Sequence, residues 1–294
     1  MSFLFVNKKI HVVFFDLTTE FASTVMLMKN ILLISILLLF FACQKEDIGD
    51  NSPVNVVDEH PHLCEVPETG DRNFIYYEND ERWLIGGENE DQDFNITNWT
   101  LEEGYIKYGL GRETFKALTE PQFISKEEYP RTIQPDELVL AVYGGLSDTK
   151  VYTIDMMEAH EVINDEINGE PIVVMYCPLA DFFAVYYREY CGATLTFGVS
   201  GYTYYQCDTQ DGKDGFLLWD RNTESLWWPL THKGVSGEML NQTMTPYHAA
   251  KWEVTTYEQI SQSSPDFVLL KPGQNIDFDG EWTSSLSQSV NCVE

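Results

Sequence analysis

Basic side chains are scarce in this sequence. Its 294 residues carry 18 Lys and Arg against 47 Asp and Glu, a formal net charge of −29. Binding nucleic acid requires a basic footprint to meet phosphates, so that class is excluded, and an anionic lipid surface would repel the same charge. Long helical periodicity and internal repeats are missing as well, which removes helical bundles and solenoids. Aromatic residues are not scarce. With 7 Trp, 16 Tyr and 17 Phe, and 44% hydrophobic residues overall, the chain is too apolar to be disordered and can fill one large core or two small ones.

A run long enough to cross a membrane is lacking at the N-terminal end. Met28-Lys29-Asn30 is a short basic start, and the apolar run Ile31–Ala42 follows it. As a helix that run spans about 18 Å, short of a bilayer core of about 30 Å. It ends Leu39-Phe40-Phe41-Ala42-Cys43. A small residue before Cys at the end of a signal-like stretch resembles a bacterial lipobox, with cleavage after Ala42 and lipid on Cys43; a plain secretory signal or truncated anchor is the alternative. Residues 1–27 read as an upstream extension, with Met28 or Met26 as the start. Gln44-Lys45-Glu46-Asp47 resembles the tag that directs some lipoproteins to the cell surface. The expected location is therefore the bacterial outer membrane, on its inner leaflet or exposed outside, with the membrane reached through the lipid. The acidity belongs to the remaining chain, because residues 1–42 hold only Lys8, Lys9, Lys29, Asp16 and Glu20 as charged groups.

Beyond the leader (1–42), residues 43–60 are polar and aperiodic, a tether. Short aromatic or β-branched runs separated by Asn, Asp, Glu and Gly clusters then continue to Leu270. They include Phe74–Tyr77, Trp83–Ile85, Phe94–Leu101, Leu138–Tyr143, Lys150–Ile154, Phe182–Tyr187, Ala193–Val199, Tyr202–Gln206, Phe216–Trp219, Ser225–Leu230 and Phe267–Leu270. Pro171–Tyr176 is apolar at every position, as in a strand buried on both faces. Asp220–Glu224 reads as a hairpin turn. Helices are expected at Met156–Val162 and Pro246–Gln262. The fold class is β-rich α+β, mostly antiparallel sheet, sandwich or barrel-like, with a few short helices. The remaining organisation is an N-terminal β-rich extension (61–110), a main domain (111–272) and a C-terminal tail (273–294).

Five blocks appear in order: Ala159-His160-Glu161-Val162-Ile163-Asn164-Asp165; Tyr176-Cys177-Pro178-Leu179; Leu195-Thr196-Phe197-Gly198-Val199-Ser200-Gly201; Asp220-Arg221-Asn222-Thr223-Glu224-Ser225-Leu226-Trp227; and Val235-Ser236-Gly237. Together with Gly111–Ile124, Trp252 and Pro265–Leu270 they resemble the uncharacterised family known as domain of unknown function number 3179. The resemblance reaches from Gly111 to Leu270. Many members of that family carry Cys-Pro-Leu-Cys in the second block, which implies thiol redox or metal chemistry. Here Ala180 replaces the second thiol, so Cys177 lacks a resolving partner in its own loop.

Cys177 is then either a reactive thiol, its pKa lowered if Pro178 starts a helical turn, or a structural cysteine. Cys64, Cys191, Cys207 and Cys292 are the remaining unlipidated cysteines, and spacing leaves their pairing open. Cys191 and Cys207 could bridge neighbouring strands, or Cys207 could resolve Cys177. His160 and Glu161 are the acid–base candidates; capping or core hydrogen bonding is the structural alternative, with Asn164 and Asp165 as turn residues. Asp220, Arg221, Thr223 and Ser225 form either an anion or substrate contact through Arg221 or a self-satisfied turn with Asp–Arg pairing. Trp219, Trp227 and Trp228 read as core and rim aromatics, with a carbohydrate platform as the other possibility. His60-Pro61-His62-Leu63-Cys64 lacks a second ligand pair for zinc, and Asn275, Asp277 and Asp279 lack the acid an EF-hand needs, Leu286 standing there. Asp208, Asp211 and Asp214 fit a loop, and the cluster Glu88–Asp93 a solvated one. No metal site is expected, and the cofactor stays open. Two functions compete: a degenerate thiol site handling redox equivalents or metal, and a non-catalytic surface module for glycan or protein.

Overall fold

The structure, a computed structural model, describes residues 74–88, 90–145, 148–206, 213–274, 290 and 292. Cys43, the Gln44–Asp47 tag, His60, His62, Cys64, Cys207, Asp208, Asp211, Asn275, Asp277 and Asp279 lie outside them.

The strands are short and follow the aromatic and β-branched runs. In chain order they are β1 (Ile75–Glu78), β2 (Glu81–Leu84), β3 (Phe94–Asn95), β4 (Ile106–Tyr108), β5 (Phe123–Ile124), β6 (Leu138–Tyr143), β7 (Thr149–Thr153), β8 (Val162–Ile167) and β9 (Glu170–Cys177). There follow β10 (Phe182–Tyr187), β11 (Glu189–Tyr190), β12 (Ala193–Thr194), β13 (Phe197–Gln206), β14 (Lys213–Asp220), β15 (Leu226–Trp228), β16 (Lys233–Gly234), β17 (Trp252–Thr256) and β18 (Phe267–Leu270). Two α-helices, α1 (Ile154–His160) and α2 (Tyr257–Ser263), and five 3-10 turns complete the regular structure of the described residues. Turn chemistry sets the hairpins. Asn79-Asp80 joins β1 to β2 and Asn168-Gly169 joins β8 to β9, with all four residues at positive φ, the type I′ geometry that matches strand twist.

The strands form layers. The central sheet, ordered β10-β9-β8, is antiparallel throughout. Along β9, Val173, Met175 and Cys177 pack with Phe197, Val199, Phe216, Leu218 and Trp227 of the sheet ordered β16-β15-β14-β13-β4. Their neighbours Ile172, Val174 and Tyr176 pack the opposite way, with Leu140, Val142, Tyr152, Met156 and Met157. This is the period-two alternation of a strand covered on both faces, as its unbroken apolar run predicts. Each fully buried Val, Leu, Ile or Met side chain contributes roughly 1.5–3 kcal/mol of transfer free energy. The layering continues outward. Leu217, Trp219, Tyr202 and Leu226 meet Leu84, Phe94 and Ile96 near the β1-β2-β3 sheet. Val139, Ala141 and Val151 meet Ile260 of α2 and Leu269 in the sheet ordered β17-β6-β7-β18-β5. Among the described strands no sheet closes on itself, so the architecture is a β-rich sandwich and not a barrel.

Several local expectations change. The helix expected over 246–262 is only α2; Trp252–Thr256 is instead β17, because Val254, Thr255 and Thr256 complete the edge beside β6. The helix starts at Thr256, whose hydroxyl accepts the Gln259 N–H (3.3 Å) in a capping box. Phe94–Leu101 contributes only the two residues of β3. Asn164 and Asp165 are not turn residues. They lie inside β8, where Asn164 is fully buried and Asp165 accepts from Lys150 (2.8 Å) and Tyr152 (2.6 Å). Trp219, Trp227 and Trp228 are all buried core residues, so none offers a carbohydrate platform. Cys191 is bridged to Cys292, 101 residues away, and so is not paired with Cys207.

Candidate functional site

A cavity of about 380 Å³ opens where the first three sequence blocks meet. The end of α1 supplies Glu158 and Glu161, the turn after β9 supplies Pro178 and Leu179, and β13 supplies Val199 and Gly201. Leu110, Phe115 and Phe216 complete the apolar walls. Leu110 and Leu179 remain 62% and 63% exposed, an unusual cost for large apolar side chains, which here form the rim. The volume lies in the range of small-molecule sites.

A bulge shapes one wall. The pairing of β13 with β14 shifts register between Val199 and Thr203. Gly201 sits there at φ +83°, and a Cβ would come within 2.1 Å of the Gly111 carbonyl carbon. Only glycine allows the two backbones to close this side of the cavity.

Glu161 is the most unusual group in the cavity. It caps α1 at φ +57°, a conformation that costs a non-glycine residue on the order of 1–3 kcal/mol. Two backbone bonds hold it there: its N–H donates to Met157 (2.7 Å) and its carbonyl accepts from Tyr176 (3.0 Å). Burial alone pushes its carboxyl up from 4.5 to about 7. A carboxyl tuned near neutrality in an apolar cavity can hold or accept a proton, or meet a cation.

Cys177 lies behind the same wall and not in its lining. It ends β9, is 1% exposed and is free. Pro178–Asp181 forms a hairpin turn to β10 and no helix, so the helix N-terminus that would lower the thiol pKa is not there. Burial instead pushes the thiol up, opposed by the backbone N–H groups of Phe216, Ala180 and Leu179, while Glu161 pushes it further. His160 turns elsewhere: its Nδ1–H donates to the Lys116 carbonyl (2.8 Å), and it does not line the cavity.

The second candidate group is a separate, closed cluster. Asp220 is fully buried and accepts from the Thr223 N–H (2.7 Å), the Thr223 hydroxyl (2.8 Å) and Trp227 Nε1 (2.8 Å). Burial pushes its carboxyl up to about 6. Ser225 Oγ accepts the Met239 N–H (3.0 Å) and lies 2.8 Å from Thr223 Oγ1. The expected Asp–Arg pairing is not formed. Arg221 donates instead to Glu113, through Nε (3.0 Å) and Nη2 (2.9 Å), with both side chains 5% exposed. Gly198 makes room for this pair, since a Cβ there would lie 1.8 Å from Glu113 Oε1. Glu113, 108 residues from its partner, carried no sequence signal beyond being an acid near a basic residue. With its guanidinium so engaged, Arg221 does not reach the cavity.

Asp214 lies in β14 and pairs with Lys107 (2.8 Å), and Asp93 of the acidic cluster is buried, accepting from the Gly86 N–H (2.7 Å). Among the described residues no three His, Cys, Asp or Glu side chains are placed to share a metal ion.

Neither a curated protein nor a solved structure matches the chain. A family profile does, over residues 112–280, and it spans all five blocks. The chain belongs to the family described as Protein of unknown function (DUF3179).

Proposed function

We propose that this protein is a small-molecule-binding domain held outside the cytoplasm by a lipid on Cys43. The observation that carries the reading is the convergence of the first three blocks, Glu161, Pro178-Leu179 and Val199–Gly201, on one apolar cavity with a half-buried carboxyl. Apolar walls with few polar groups are how small-molecule sites gain affinity and orientation. The test is a titration with 1-octanol, followed by line broadening and shifts of the octanol signals in NMR. Saturable binding that Leu179→Asp abolishes supports the reading, and no binding up to the solubility of the alcohol refutes it.

The anchor rests on Ala42-Cys43 at the end of the apolar run. Labelled palmitate should enter the protein and fail to enter Cys43→Ala. Display on the cell surface rests on Gln44–Asp47, and protease added to intact cells should then remove the protein.

A thiol reading of the same region is favoured by one observation: Cys177 is a free thiol that ends β9 directly before Pro178 and Leu179 of the cavity lining. It requires iodoacetamide to modify Cys177 in the native protein. An unmodified Cys177 leaves the binding reading alone.

A further inference from the structure

Among the described residues the cavity is lined by charge of only one sign: Glu161 opens into it, Glu158 stands beside it, and no described Lys, Arg or His lines it. The nearby guanidinia face other partners: Arg221 bonds Glu113, and Arg112 lies 3.5 Å over the Trp219 ring and donates to the Gln92 carbonyl (2.7 Å). The Glu161 carboxyl forms no hydrogen bond or ion pair with any described residue, although most of it is shielded from solvent. A carboxyl in that position is a vacant acceptor at the end of an apolar cavity. A ligand that brings a hydrogen-bond donor or a positive charge to it gives this carboxyl a partner that no described side chain supplies. The net charge of −29 adds a field that concentrates cations and depletes anions around the whole chain.

We infer that the cavity selects a cationic amphiphile, a small ammonium-bearing molecule whose hydrocarbon part fills the walls while its ammonium group meets Glu161. This rests on the binding reading above and assigns the ligand class. Apolar contact with Leu110, Phe115, Leu179 and Phe216 supplies affinity for any molecule of suitable size. The carboxyl then separates three ligands of equal length. An ammonium gains a charge-assisted hydrogen bond, an alcohol gains a neutral one, and a carboxylate meets repulsion from Glu161 and Glu158.

The experiment compares octylammonium, 1-octanol and octanoate by calorimetry on the full chain at pH 8 and fixed ionic strength. Octylammonium should bind about tenfold or more tightly than 1-octanol, and octanoate more weakly than both. Glu161→Gln should bring octylammonium down to the affinity of 1-octanol, and Glu158→Gln should have a smaller effect. Equal affinities for ammonium and alcohol, or a preference for octanoate, overturn the ligand class but leave the binding reading standing. Failure of all three ligands refutes the binding reading itself. The ligand series on the unaltered protein decides the matter even if a variant does not fold.

Discussion

Glu161 offers the sharpest test of how the cavity is built. Its carboxyl is held near 7 by burial, against 4.5 in a solvated setting. At about 1.4 kcal/mol per pH unit, that difference is worth roughly 3 kcal/mol between the two protonation states. The sign follows from proton counting. Between 4.5 and about 7 the folded chain holds this proton and the unfolded chain does not, so folding stability falls as pH rises through that window. Below it the contribution is fully present, and above it the loss is complete. Glu161→Gln carries no titrating proton and lacks this slope. Denaturant unfolding of both proteins at pH 4.5, 6, 7 and 8 isolates the effect, because the other carboxyl groups cancel in the difference. Unaltered protein should lose up to about 3 kcal/mol relative to the variant between pH 4.5 and 8. Parallel stability curves, within about 0.5 kcal/mol, would refute the placement of this carboxyl in an apolar cavity.

Other consequences concern the frame around the site. Arg221→Met strands the Glu113 carboxylate in the core and should cost about 3–5 kcal/mol in denaturant unfolding; adding Glu113→Gln should recover part of that loss. Ile172→Ala and Met175→Ala point to opposite sides of the central sheet, and each should cost about 2–5 kcal/mol, whereas Leu138→Ala at an exposed position should stay within about 0.5 kcal/mol. Reducing the Cys191–Cys292 bridge, which closes a 101-residue separation, should lower stability by about 2–5 kcal/mol and be visible as a drop in Tm.

The layered core was largely legible in the sequence because alternation is a local signal. Pro171–Tyr176 is apolar at every position and lies between two cores, and Asp220–Glu224 turns where its Asp, Asn and Thr residues suggested. What was not legible depends on distance or on a single turn. Trp252–Thr256 could be read as helix by the spacing of Trp252, Tyr257 and Ile260, and only an available edge beside β6 made it a strand. Cys177 hinged on whether Pro178 opened a helix or a hairpin, alternatives with opposite effects on the thiol. Arg221 could pair with the adjacent Asp220, yet a glycine at position 198 let Glu113 reach it first. Glu161 was singled out beside His160, but the backbone at φ +57° sends the two side chains to different places. The cavity itself is assembled from five separated segments, and no window of sequence contains it.

The binding reading is tested most directly by methyl NMR of the unaltered chain, with leucine and valine methyl groups labelled and 1-octanol added. Saturable shifts confined to Leu110, Leu179 and Val199, the labelled methyl groups around the cavity, are the expected result. Shifts spread over other exposed apolar residues such as Leu138, Val254 and Val268, or no shifts at all, would contradict it.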